Sequence, residues 1–146
     1  MITIQKAAQQ TPKKIVRKSN RVLIQLRYSV KTKDKFGECY LFHGIARDSA
    51  NRLHTKHMFW IKRYGTGPKA MIRCLCDCEN FEFVWEMALA RKQSAVRFKS
   101  NGMRPVITNP MMRTGVCKHL LAALKATIKL TPTKVMKTVS RLPRNF

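Results

Sequence analysis

Apolar positions recur along most of the chain, and their period changes once. In 21-RVLIQLRYSV-30, Val22, Ile24, Leu26, Tyr28 and Val30 fall on one face, which predicts a strand. The turn 31-KTKDKFG-37 leads into 38-ECYLFHGIA-46, a second strand more apolar than the first and therefore more central. After a loop at 47–52, a third strand is expected over 53–64. The turn dipeptides of 65-GTGP-68 then precede a fourth over 69–78. Four strands in succession with short turns predict an antiparallel meander.

The period then shifts to that of a helix. In 80-NFEFVWEMALARKQ-93, Phe81, Val84, Trp85, Ala88 and Leu89 are spaced i, i+3, i+4, i+7, i+8, one helical face. Glu82 in its first turn and Arg91 and Lys92 at its end suit the helix dipole. Residues 94–115 carry Gly102, Pro105, Pro110 and Gly115 and read as a long loop, with a short strand expected at Val106–Thr108. A second helix is expected from near Val116 through residue 130, with Leu120, Leu121, Leu124 and Ile128 apolar and Pro132 closing it. The expected class is α+β: a meander of about four strands followed by two helices, one domain over 21–130. Residues 1–20, polar, basic and broken by Pro12, are expected to be a mobile arm, and 131–146 a basic tail.

Charge changes the picture more than composition does. Thirty Lys and Arg against seven Asp and Glu give +23, where solubility alone asks for a magnitude of about 2–8. All seven acids lie between Asp34 and Glu86, so both ends of the chain are free of them. Self-repulsion on this scale calls for a polyanionic partner, DNA or RNA, or an assembly containing one. A membrane surface fits less well, because the charge is spread over both ends and not gathered on one amphipathic helix. The stretch 1-MITIQKAAQQTPKK-14 lacks the apolar run of a secretory signal, so the expected setting is a cytoplasm or something assembled there.

In such a setting five cysteines speak for metal or catalytic thiols over disulfides. Cys76-x-Cys78 and Cys117-x-His119 supply three thiolates and an imidazole, a set suited to tetrahedral zinc. Residues i and i+2 of a strand share a side, so Cys76 and Cys78 can face one ion if the chain bends at Asp77. On a regular helix the same spacing diverges by about 200°. Cys117 therefore has to sit at or before the first turn of its helix. The plain alternative is a group of buried free thiols. A third reading makes Cys117, at a helix N-terminus beside Lys118 and His119, a nucleophile; no glycine-strand motif around it supports an active site. Cys74 lies about 13 Å from Cys78 at strand rise, too far to share an ion without a sharp bend.

Together, 76-CDCENF-81 and 117-CKHLLAAL-124 resemble the SWIM-type zinc finger, Cys-x-Cys followed after a spacer by Cys-x-His. The resemblance spans about 69–124. It implies Zn2+ held by Cys76, Cys78, Cys117 and His119, with the first pair on a strand or hairpin and the second at a helix start. Phe81, three places after Cys78, and Lys118, before the histidine, also fit it and leave Cys74 as a packed neighbour. SWIM fingers are taken to bind DNA or to mediate protein contacts. This spacer is longer than most and holds a whole amphipathic helix. That form, with 107-ITNPMMRTGVCKHL-120, resembles proteins encoded in bacteriophage genomes, so a virion or a host cytoplasm is the expected location.

The reading is a non-enzymatic, zinc-stapled module without a small-molecule substrate. Its expected nucleic-acid contacts are Arg91, Lys92, Arg97, Lys99, Arg104, Arg113, Lys118, Lys125 and Lys129. The alternative is a structural component of a phage particle, its arms against neighbouring subunits. His43, His54, His57 and Cys39 have no paired ligand spacing and are expected in strands or loops. Phe59, Trp60 and Tyr64, interleaved with Lys56, Lys62 and Arg63, could form a stacking platform but fit a core strand better.

Overall fold

The computed structural model describes residues 1–48, 55–97, 102–132 and 136–137, the last two as backbone only. Its centre is the expected meander: β2 (Val22–Asp34), β3 (Gly37–Asp48), β4 (Lys56–Tyr64) and β5 (Met71–Cys76), each antiparallel to the next. Two-residue strands extend both edges. β1 (Ile2–Thr3) pairs with β5, and β6 (Met136–Lys137) pairs with β2, giving the order β1-β5-β4-β3-β2-β6.

The single face expected for β2 holds only in its first half. The β2–β3 register shifts between Leu26 and Tyr28, leaving Arg27 as a bulge, and beyond it Ser29 is buried where Val30 is half-buried. A bulge inserts one residue into a period of two, so the alternation changes side. Gly44 lies opposite the bulge. A Cβ there would stand 2.4 Å from the Gln25 carbonyl oxygen and 2.7 Å from Phe59 Cζ, so only glycine fits that approach.

The sheet packs against α4 (Lys118–Thr127), which touches β2, β3, β4 and β5. Leu120, Leu121 and Leu124 are buried there with Phe42, Phe59, Ile61 and Ile72, as the apolar spacing of the last helix required. The first helical segment differs from expectation. It opens as a π-helical turn (Phe81–Trp85), in which the Glu86 N–H donates to the Phe81 carbonyl, and continues as α3 (Glu86–Arg91). The wider turn moves the inward face by a residue. Phe81, Trp85, Ala88 and Leu89 remain inside, Val84 is half-buried, and Glu86 is fully buried.

Residues 1–20 are not an arm. After β1 they form α1 (Ile4–Gln10) and α2 (Lys13–Ser19), with Ile2, Ile4, Ala7, Thr11 and Ser19 buried. The Ile2 amide donates to Ser94 Oγ at 2.7 Å, and the Val116 amide to Thr11 Oγ1 at 3.0 Å, so this segment ties α3's exit to α4's entry. α2 packs on α4, where Lys125 Nζ donates to Ser19 Oγ (3.0 Å) and Asn20 Oδ1 (2.9 Å). The strand expected at Val106–Thr108 is a turn instead. Pro105 removes a donor, and Asn109 anchors the segment through Nδ2 to the carbonyls of Val84 (3.0 Å) and Arg113 (2.9 Å). Most of the expected loop at 47–52 and of the tail 131–146 lies outside the described residues, as do His54 and Lys99. No helix among the described residues is long and apolar enough to cross a membrane.

Candidate metal centre

The β4–β5 ladder ends at the pair Phe59↔Cys76. The chain then leaves the sheet at Asp77, whose backbone N–H donates to the Met58 carbonyl (3.2 Å) while its Oδ1 accepts from the Met58 amide (3.0 Å). This clamp fixes the bend that turns Cys78 toward Cys76. The Cys78 carbonyl then accepts from the amides of Phe81 (3.0 Å) and Glu82 (3.2 Å), which starts the π-helical turn.

On the other side of the site, Cys117 is the N-cap of α4, with extended φ −69° and ψ 164°, and its sulfur accepts from the Leu120 amide at 3.5 Å. That is the placement the two-residue spacing demanded: a cap lies outside the helical period, so its sulfur and the His119 ring can converge. Gly115 contributes by closeness. A Cβ there would lie 2.9 Å from Trp85 Cζ3 and 3.0 Å from the Gln10 carbonyl oxygen.

Cys76, Cys78, Cys117 and His119 thus meet, all four buried, with one ligand atom from each inside a span of 4.8 Å. Around a tetrahedral ion with Zn–S of about 2.3 Å and Zn–N of about 2.1 Å, ligand atoms stand about 3.5–3.8 Å apart. His119 Nδ1, the nitrogen turned inward, is 3.9 Å from Cys76 Sγ. The donor set and its size fit a metal ion, in the manner of a zinc-finger site. The sulfurs already bias one another: hydrogen bonds from Cys117 and Cys76 push the Cys78 thiol far down, while burial, then its two sulfur neighbours, push Cys117 up. Clustered thiolates repel one another, and a bound cation is what favours the ionised form of all three.

Cys74 stays outside the group. It is fully buried, its backbone bridges to Ala95, and burial raises its thiol to about 12. His57, which has no ligand spacing in the sequence, lies against the centre: its ring is 4.3 Å from that of His119, and its Nδ1 is 3.2 Å from Asp77 Oδ1. The signal that could have found it is Asp77, a carboxylate between two ligand cysteines, able to reach an outer histidine. A cavity of about 610 Å3 opens beside the centre, lined in part by Lys18, His57, Asn80, Lys118 and His119.

Among the described residues, the cations expected to bind nucleic acid sit on several different elements. Arg91 and Lys92 are exposed at the end of α3, and Arg97, Arg113 and Lys129 are exposed elsewhere. Arg104, also exposed, donates to the Pro110 carbonyl. Lys118 is paired with Asp48, and Lys125 is engaged with Ser19 and Asn20. The stretch 59–64 is core: Phe59 and Arg63 are fully buried, and Trp60, Lys62 and Tyr64 nearly so. Compared with protein-family models, with curated proteins and with solved structures, the chain shows no match.

Proposed function

We propose that the protein is a non-enzymatic, SWIM-like module held together by a structural zinc ion at Cys76, Cys78, Cys117 and His119, and that it binds DNA or RNA mainly through its cations. The observation that carries the zinc assignment is the closed donor set: four protein ligands, all buried, leave no open coordination position for a substrate. Nucleic acid follows from the charge of +23, which a phosphate backbone neutralises with little demand for sequence. In a salt titration with oligonucleotides, affinity should fall steeply, by at least about tenfold between 50 and 200 mM monovalent salt. An affinity that barely moves would sink the nucleic-acid part.

A second reading keeps the staple and makes the chain a structural component of a large assembly such as a phage particle. Apolar side chains turned outward favour it: Phe83, Met103, Val106, Ile107 and Met111 are each more than 60% exposed. Sedimentation velocity at micromolar concentration should then show self-association or co-sedimentation with particles. A monomer absent from purified particles would count against it.

A further inference from the structure

We propose that α2 is the face on which the phosphate backbone lies, and that its track runs through Lys18 to the cavity beside the metal centre. This rests on the nucleic-acid reading above and adds the surface that carries it. Lys13, Lys14, Arg17 and Lys18 are spaced i, i+1, i+4, i+5 on one side of α2, Arg21 follows two residues past its end, and all five are exposed. On the opposite side, Ile15 and Val16 are half-buried and Ser19 is buried, so packing fixes which way the cations point.

Those five side chains alone line a shallow depression of about 410 Å3. Lys18 also lines the cavity of about 610 Å3 beside the Cys/His cluster, where Lys118 joins it, so the two hollows share a wall. The first acid in the chain is Asp34, so α2 has none in its own sequence neighbourhood. Of the acids nearest the track, Asp48 is paired with Lys118, and Asp77 is engaged by His57 and the Met58 amide. Glu79 remains at the cavity rim.

The arrangement works against folding. Lys13/Arg17 and Lys14/Lys18 are like-charge pairs at i, i+4, each costing about 0.2–0.5 kcal/mol, in a helix of seven residues too short to form without tertiary support. A polyanion removes that repulsion. The helix is about 10 Å long, roughly three phosphate steps of one B-form strand at about 3.4 Å each.

The test compares two variants that lose the same charge: Lys13→Gln/Lys14→Gln/Arg17→Gln/Lys18→Gln on α2, and Lys6→Gln/Lys33→Gln/Lys35→Gln/Lys69→Gln at exposed positions elsewhere. Binding to fluorescent 20-nucleotide single-stranded and duplex DNA and RNA is read by anisotropy over a range of salt. The α2 variant should lose at least about tenfold in affinity at 100 mM salt and lower the log–log salt slope by about 3. The other should lose less than about threefold. The thermal transition of the metal-loaded α2 variant should not fall, because its like-charge pairs are gone. Equal losses in the two variants would overturn the α2 track while leaving nucleic-acid binding intact. A wild-type protein that binds no oligonucleotide, or only acidic peptides, would overturn both. Lysine acetylation footprinting of the wild-type protein reads the same surface without a variant. Lys13, Lys14 and Lys18 should be protected by DNA while Lys33 and Lys69 are not, and the reverse pattern would overturn the proposal.

Discussion

Removing the metal should unfold the whole domain. The ion would join the end of β5 to the start of α4, and α4 is the element every long strand touches. α2 in turn sits on α4, and Thr11 at the end of α1 accepts from Val116, one residue before the ligand Cys117. Releasing Cys117 and His119 therefore frees the helix that covers the sheet and the N-terminal segment that covers the helix. Structural zinc contributes on the order of 10 kcal/mol to small metal domains, against a total stability of about 5–15 kcal/mol. Dialysis against a strong chelator should abolish near-ultraviolet dichroism and the cooperative thermal transition, and zinc should restore both. Cys117→Ser should reproduce the loss with metal present. Cys74→Ser should keep full metal content and cost only about 1–3 kcal/mol, the penalty of a buried hydroxyl. Because free thiols titrate near pH 8.5 and must lose protons to bind, apparent zinc affinity should weaken as pH falls. A metal-free protein with an unchanged transition would refute the staple.

The meander and the four ligands were legible because each rests on short-range pattern. Alternation marks the first half of β2, apolar stretches between turn signals mark β3 to β5, and two pairs of ligands at fixed spacing mark the centre. What was not legible depends on contacts between distant segments. α1 and α2 are seven residues each and separated by Pro12, too short for a helical period to stand out, and the cations of α2 mask the inward Ile15, Val16 and Ser19. The bulge at Arg27 is set by the approach of Gly44 to Gln25 and Phe59, and a one-strand pattern cannot register it. The π-helical turn accommodates Phe81 and Trp85 beside the metal centre, and a strict 3.6-residue count then misplaces Val84 and Glu86. Arg63 sits in a strand among apolar neighbours, and nothing local says that its partners are the carbonyls at the end of α4, more than sixty residues away.

Those partners make Arg63 the position where a single substitution away from the metal should cost most. Its side chain is fully buried. Nη1 donates to the Thr127 carbonyl, Nη2 to the Leu130 carbonyl, and Nε to the Gly65 carbonyl at 3.0 Å. Its Cζ lies 5.1 Å from the ring centres of both Tyr40 and Phe42. Burial pushes the guanidinium's pKa down, yet an arginine keeps its charge, and among the described residues no carboxylate pairs with it. The charge is compensated by the negative end of the α4 dipole and by two aromatic faces, while it satisfies carbonyls that have no helical partner. Arg63→Ala removes all of this and leaves a cavity, so metal-saturated protein should lose about 3–5 kcal/mol in urea unfolding, roughly 10 °C in transition temperature. Arg63→Met keeps most of the volume and removes the charge together with the donors. It should lose about 1–3 kcal/mol, the cost of carbonyls left unpaired. The difference between the two separates packing from hydrogen bonding. If Arg63→Met matches the wild type, the carbonyl bonds contribute nothing and the end of α4 is held by packing alone.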